Sequence, residues 1–162
     1  MRIISGDLKG KKISLPIDNK TRPLRDLVKE SIFNLINHSS KFTLKLNNSN
    51  VLDLFSGTGS FGIECISRNA KKVTFVENYN SVLNILKKNI KSLDIGDKTE
   101  IIEDDCFDIF ESKKKFKKKF NLIFMDPPYK EHKINLIINE VKDRKILDEN
   151  GILIIHRHKK DN

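Results

Sequence analysis

The sequence predicts an α/β domain built on a doubly wound, mostly parallel sheet between two layers of helices. Short apolar segments alternate with amphipathic ones, one apolar segment runs into a glycine-rich loop, and another runs into Asp-Pro-Pro-Tyr. Strands buried on both faces appear as short apolar runs, and parallel strands need helical crossovers between them. The 162 residues suffice for one such domain with a small extension and hardly for two.

The N-terminal part, residues 1–46, predicts a small extension ahead of a core formed by residues 47–162. A loosely alternating start with two glycines predicts a β-hairpin of about 2–5 and 11–15. Apolar residues at three- and four-residue spacing predict an amphipathic helix over 25–37.

The core alternates between strand patterns and helix patterns. In chain order we expect a strand at 51–55, a helix at 60–69, a strand at 72–77, a helix at 79–93, a strand at 99–104, a short helix at 106–112, a strand at 121–125, a helix at 132–145, a turn at 149–151 and a strand at 152–156. Ligands of such sheets bind outside the carboxyl ends of the strands, so the loops there are the first candidates for a site.

Basic residues outnumber acidic ones by 31 to 22, which gives a formal net charge of +9. This surplus favours a partner with a phosphate backbone, although abundant Lys, Ile and Asn are also typical of an AT-rich genome. The basic side chains that we single out as candidates for contact with a phosphate backbone are Lys11, Lys12, Arg22, Arg25 and Lys29. A second basic cluster, Lys113–Lys119 around Phe116, fits either phosphate contact or a solvated loop.

Several classes of protein are disfavoured by what the sequence lacks. It has no run of 18 apolar residues, its first residues lack the apolar centre of a signal peptide, and Cys65 and Cys106 form no CxxC pair. The four histidines are dispersed, and we interpret them as surface or rim residues. We therefore expect a cytoplasmic protein, without a metal or a membrane partner, and monomeric.

The glycine loop Gly57-Thr58-Gly59 follows the first strand and opens the next helix. Glycines allow a sharp turn and close approach of a ligand, and the helix start offers free N–H groups. Glu77 ends the second strand, where a carboxylate can accept both hydroxyls of a ribose. This arrangement favours a nucleoside-type cofactor over an ordinary strand–helix turn, but it fits NAD equally well.

Three carboxylates distinguish the candidate cofactors. Asp53 lies within the first strand, and Asp105 follows the third, so with Glu77 they would make one negatively charged pocket. Such a pocket favours a ligand that carries an ammonium or sulfonium group over a pyrophosphate. S-adenosylmethionine is a ligand of this kind. Asp105 can equally be the N-cap of the following helix.

The loop Asp126-Pro127-Pro128-Tyr129 follows the fourth strand directly. Its prolines fix the backbone and remove two donors, which leaves the Asp126 carboxylate and the Pro127 carbonyl as acceptors beside an aromatic ring. An exocyclic amino group on a base would meet two acceptors and a stacking surface, and holding its hydrogens frees the nitrogen lone pair to attack a methyl donor. A base within a duplex would have to be flipped out. The alternative is a proline-rich turn that only caps a strand.

The sequence resembles the bacterial 16S ribosomal RNA guanine-N2 methyltransferases of the RsmD type, a class I S-adenosylmethionine-dependent family. The resembling segments are residues 1–13, 21–36, 51–77 and 120–129. The family's chains normally continue past the fifth strand into a final hairpin, so we expect one edge of the sheet to be short.

The resemblance also implies roles for particular residues. It implies that Gly57 and Gly59 line the methionine end of the cofactor, Glu77 its ribose and Asp105 its adenine. The cofactor-binding candidates are completed by Asp53, Phe55, Thr58, Asn78 and Cys106. Asp126 to Tyr129 would hold the guanine N2, with Arg22 and the extension facing ribosomal RNA, free or in an assembling subunit.

Other functions remain open at this point. N6-adenine methylation of DNA or RNA would use the same Asp-Pro-Pro-Tyr loop, because adenine also presents an amino group. An RNA-binding assembly factor without catalysis is a hypothesis from another class, and NAD-dependent redox chemistry is the most distant one.

Overall fold

Alternate residues of the central strands face two different layers of helices. The computed structural model describes residues 1–16, 24–112, 116, 118–128, 131 and 133–157. The helices are α1 (Asp26–His38), α2 (Ser60–Ser67), α3 (Asn80–Leu93), α4 (Cys106–Glu111) and α5 (Ile134–Asp143), and the strands are β1 (Asn50–Leu54), β2 (Lys72–Val76), β3 (Thr99–Ile102), β4 (Phe120–Met125) and β5 (Leu147–Ile155). A single 3-10 turn (Gly96–Lys98) precedes β3.

The strands form one sheet in the order β3-β2-β1-β4-β5, and every neighbouring pair is parallel. The chain moves outward from β1 to β3 and then returns to place β4 on the other side of β1. The strand order therefore reverses between β1 and β4, which is where an open α/β sheet leaves a crevice for a ligand. The predicted doubly wound α/β fold is confirmed.

The two faces of the sheet bury separate apolar clusters. One cluster joins Val51, Phe75 and Phe124 to α1, α2 and α3, and the other joins Leu52 and Met125 to α4 and α5. Neighbouring strand residues point to opposite faces, so both clusters draw on the same strands. The result is the expected three-layer arrangement.

The N-terminal segment forms a short antiparallel pairing and also packs on α2. The predicted pairing of 2–5 with 11–15 is observed in part: Arg2 and Lys12 form an antiparallel bridge, and the Ile3 and Ile13 N–H groups donate to the Lys11 and Met1 carbonyls, both at 3.0 Å. The fully buried Glu64 of α2 accepts hydrogen bonds from the backbone N–H groups of Ile4 and Ser5, both at 2.9 Å. Because these donors bond to α2, they are not available to extend a hairpin ladder.

Strand β5 differs from its predicted bounds. The expected turn at 149–151 lies inside the strand: Phe120 pairs with Leu147, and Leu122 pairs with Ile152, so the chain bulges over 148–151. The bulge lengthens the strand at its start and shifts its register against β4. None of the helices in the described part of the chain combines the length and apolar character that crossing a membrane requires.

Candidate active site

Four strands end in one row at the carboxyl edge of the sheet. In register, Leu54 pairs with both Val76 and Met125, and Met125 pairs with Ile155. The residues that follow these strand ends are Glu77, Phe55, Asp126 and His156, in that order across the edge. The glycine loop and the Asp-Pro-Pro corner follow β1 and β4, which are adjacent. Because neighbouring strands lie about 4.8 Å apart, the two loops begin close together. We call these four residues the carboxyl-edge row.

The glycine loop depends on left-handed backbone geometry. Gly57 and Gly59 have φ values of 56° and 80°, a region that L side chains rarely adopt. A Cβ on Gly59 would clash with the side chain of Leu86, so the close packing of α3 on this loop favours a residue without a side chain. A Cβ on Gly57 would meet no protein atom within 4 Å, so a ligand can approach the backbone there.

Glu77 is bonded to the backbone on both sides of the crevice. One carboxylate oxygen accepts from the N–H of Gly57 at 2.8 Å, and the other accepts from the N–H groups of Asn78 and Tyr79, each at 3.0 Å. The carboxylate therefore connects the glycine loop to the start of α3. Each carboxylate oxygen can accept more than one hydrogen bond, so these contacts leave room for a ligand hydroxyl.

Asp53 lies beneath the crevice rather than open to it. Its side chain is only 1% exposed, and its Oδ2 accepts from the N–H of Gly62 in α2 at 3.0 Å. Burial raises the pKa of the Asp53 carboxyl well above 3.8, and the charges of Asp126 and Glu77 add to this effect. The Gly62 bond opposes it. Asp53 therefore acts on the crevice from below, through its electrostatic interaction with Glu77 and Asp126 and through its bond to α2.

The loops after β2 and β3 meet through side chains. Asp105 caps α4 by accepting from the Phe107 N–H at 2.7 Å, and its other oxygen accepts from the Asn78 amide at 2.8 Å. The predicted N-cap is thus observed. Cys106 accepts from the Phe55 N–H at 3.3 Å, and burial raises the pKa of its thiol, so it serves as a packed side chain and not as a nucleophile.

Asn89 is a polar residue of this region that the sequence reasoning missed. It is 1% exposed on α3, and its amide donates to the carbonyls of Ser14 and Thr58, both at 3.1 Å. Its carbonyl accepts from the Ser14 N–H at 2.8 Å. The signal available in the sequence is an amide on the otherwise apolar face that carries Leu86 and Ile90.

Asp126 meets a partner that the sequence does not predict. Its Oδ1 lies 2.8 Å from Nδ1 of His156, a residue expected only at the surface or rim. Burial raises the pKa of Asp126 above 3.8, and the His156 contact lowers it in part. The Pro128 carbonyl accepts from the Glu131 N–H at 3.0 Å and so closes a turn after the corner. Pro127 is partly exposed, and Tyr129 lies outside the described residues.

The predicted RNA-facing residues separate into exposed and buried ones. Lys11, Lys12 and Arg25 are exposed. Lys29 is fully buried, with its ammonium 3.2 Å from Asp26, which argues against the predicted RNA contact. Its ammonium also lies 3.5 Å from Sδ of Met1, so the N-terminal segment covers this side of α1, which a helical pattern alone does not reveal. Arg22 lies outside the described residues.

The described lysines of the second basic cluster, Lys118 and Lys119, lie at the amino end of β4. Lys118 lies two residues before β4, and burial lowers the pKa of its ammonium. Glu100 opposes this shift, whereas Lys72 and Lys71 at the start of β2 add to it. These lysines therefore mark the amino ends of the strands, opposite the carboxyl-edge row. Phosphate contact by this cluster stays a prediction, and residues 113–115 and 117 lie outside the described part.

Within the described ranges, no group of three or more His, Cys, Asp or Glu side chains is placed to hold a metal ion.

The whole chain is similar to proteins of one known family. A family model described as "Conserved hypothetical protein 95" matches residues 1–162.

Two relatives and one solved structure match nearly the full chain. The ribosomal RNA small subunit methyltransferase D of Buchnera aphidicola subsp. Acyrthosiphon pisum is 37% identical over 158 residues, covering 98% of this chain and 78% of that protein. The protein of the same name from Haemophilus influenzae is 32% identical, covering 98% and 79%. The structure of "Putative methyltransferase yhhF" from Escherichia coli superposes with a TM-score of 0.83 at 25% identity, covering 100% and 83%.

These matches agree with the architecture, a five-stranded parallel sheet with a class I methyltransferase fold. Because the family model spans all 162 residues, the chain belongs to the Conserved hypothetical protein 95 family, which is the RsmD family that its motifs resemble.

Proposed function

We propose that this protein transfers a methyl group from S-adenosylmethionine to the exocyclic N2 amino group of a guanine in small-subunit ribosomal RNA. The observation that carries the proposal is the carboxyl-edge row, in which Asp126 follows a strand adjacent to the one that opens the glycine loop. A methyl donor and an amino acceptor held at these two points would be neighbours. The relatives named as small-subunit ribosomal RNA methyltransferases support this choice of substrate.

The residues around the glycine loop fit the proposed cofactor. The space above Gly57 admits a ligand against the backbone, and Glu77 carries a carboxylate beside it. Glu77 and Asp126 both lie within electrostatic range of Asp53, so three acidic groups surround this region. An acid-rich crevice favours a cation, and S-adenosylmethionine supplies an electrophilic methyl group on a positively charged sulfur.

Asp126 is the residue that we assign to the acceptor base. Its carboxylate would accept a hydrogen bond from the amino group and take up the proton that the nitrogen loses on methylation. The Pro127 carbonyl would accept the second amino hydrogen, and the ring of Tyr129 would stack on the base. Preorganised groups at a reacting centre of this kind each typically contribute a factor of about 100 to 1,000 in rate.

The experiment is incubation of the protein with radiolabelled S-adenosylmethionine and a small-subunit ribosomal RNA transcript, either free or assembled into subunits. Nucleoside analysis should find the label in N2-methylguanosine. Label in N6-methyladenosine would overturn the assigned base, and no transfer to either substrate would overturn the proposed function. An Asp126→Asn variant is the matched control for transfer that does not depend on the site.

A further inference from the structure

The backbone of His156 is bonded to β4 at the end of β5. Its backbone N–H donates to the Met125 carbonyl at 2.9 Å, continuing the pairing of β5 with β4 one residue past the strand. The imidazole Nδ1 then lies 2.8 Å from Oδ1 of Asp126. The side chains of His156 and Asp126 are 39% and 28% exposed, so the pair sits at the mouth of the crevice.

The next residue holds the far end of the same loop. The guanidinium of Arg157 donates to the Glu131 carbonyl at 3.2 Å, while the Glu131 N–H bonds to Pro128. Asp126 and Glu131 are thus both bonded to residues that follow β5. On its other side, His156 borders an apolar groove of about 340 Å³ between α1 and β5, lined by Val28 and other α1 residues.

The contact has a chemical consequence for Asp126. The terminal torsion of an aspartate is broad, so a carboxylate without partners samples many orientations. A bond from the imidazole N–H to Oδ1 fixes that orientation and leaves Oδ2 for another donor. Partners that orient a functional group are typically worth about 10- to 100-fold in activity when removed.

We propose that His156 is a positioning residue, which orients the Asp126 carboxylate so that its second oxygen accepts the amino group to be methylated. The inference rests on the proposed function, because it assigns His156 a part in that reaction. It concerns turnover and not donor binding, since His156 is two strands away from the glycine-loop strand β1.

Two substitutions separate positioning from packing. His156→Leu removes the donor, whereas His156→Asn retains a side-chain N–H close to the position of Nδ1. We expect His156→Leu to lower kcat about 10- to 100-fold with an unchanged KM for S-adenosylmethionine. His156→Asn should recover most of the lost kcat. His38→Leu, at the exposed end of α1, is the control for the loss of a histidine elsewhere.

The outcomes distinguish the inference from the function on which it rests. Wild-type kcat in His156→Leu, or equal losses in the Leu and Asn variants, would overturn the positioning role while methylation by the unaltered protein still stood. A rise in donor KM without a change in kcat would also overturn it. No transfer by the unaltered protein would refute the proposed function and this role together.

Discussion

The carboxylate of Glu77 accepts a hydrogen bond from the backbone N–H of Gly57 at 2.8 Å, across 20 positions of sequence. The second oxygen of Glu77 accepts hydrogen bonds from the N–H groups of Asn78 and Tyr79, the two residues before α3. One side chain therefore shapes the loop that is proposed to receive the cofactor and also offers acceptors to it. Removing the Glu77 carboxylate should therefore weaken cofactor binding in two ways, by altering the shape of the loop and by removing acceptors.

We expect Glu77→Ala to weaken S-adenosylmethionine binding by about 1.5–3 kcal/mol, the usual contribution of a hydrogen bond to a charged group. Isothermal titration calorimetry measures this change directly. Glu103→Ala is the matched control, because Glu103 also follows a strand but is half exposed and pairs with Lys87. Equal affinities for the wild type and Glu77→Ala would show that the carboxylate does not face the cofactor.

Asn89 joins the N-terminal segment to the glycine loop, so Asn89→Ala should destabilise the fold. It would leave the backbone groups of Ser14 and the carbonyl of Thr58 without their partner. Buried groups that lose a partner cost about 1–3 kcal/mol, so the free energy of unfolding should fall by roughly that amount. Urea denaturation followed by circular dichroism measures it.

The exposed Asn84 on the same helix provides the comparison. Asn84→Ala should be neutral or slightly stabilising, because alanine has the higher helix propensity. If both alanine variants had the same stability, the three hydrogen bonds of Asn89 would contribute nothing to folding.

The parts of the site that were predicted are those set by local pattern. Strand, glycine loop and helix follow one another directly, and Asp126 follows its own strand, so a parallel sheet is enough to bring them together. His156 was missed because its place beside Asp126 depends on the bulge over 148–151, which sets the register of β5. Lys29 was misjudged because exposure depends on which distant segment covers a helix face.

Asp53 should make stability fall as the pH rises. Its pKa is raised in the folded protein, so between the unfolded pKa and the raised folded value the native state holds more protons than the unfolded state. Stability then decreases through that window and is highest below it. Asp53→Asn keeps the shape and an acceptor for Gly62, and it removes the buried charge.

We therefore expect Asp53→Asn to be more stable than the wild type at pH 8, with the difference shrinking as the pH is lowered. Urea denaturation at several pH values measures this, and Asp97→Asn, at an exposed position, is the control. A difference that stayed constant with pH would contradict a raised pKa for Asp53.

The exposed basic residues of the N-terminal segment should contribute to RNA affinity. Replacing Lys11 and Lys12 with alanine should weaken binding and reduce the slope of log K against log salt by about 0.7 for each single-strand phosphate that these lysines no longer neutralise. Fluorescence anisotropy with a labelled ribosomal RNA fragment measures both. Lys71→Ala with Lys72→Ala, at the opposite edge of the sheet, provides the charge-matched control. Equal effects of the two double variants would mean that net charge alone attracts the RNA.

Asp126 links the proposed chemistry to pH. Burial raises its pKa, and only the ionised carboxylate can accept both a hydrogen bond and a proton from the amino group. Turnover should therefore be present above the pKa of Asp126 and be lost as the pH falls through it, at a higher pH than for an ordinary aspartate. Single-turnover methylation measured across the acid range tests this.

Asp126→Asn should lower kcat by about 100- to 1,000-fold, because the amide cannot take up the proton, while donor affinity stays close to that of the wild type. Its residual rate should also lack the acid limb, since the titrating group is gone. If the loss of activity at acid pH persisted in Asp126→Asn, another group would have to be responsible for it. The first candidate would be Asp53, which is also buried, has a raised pKa and interacts with Asp126. Near-normal turnover by the variant would remove Asp126 from the reaction altogether.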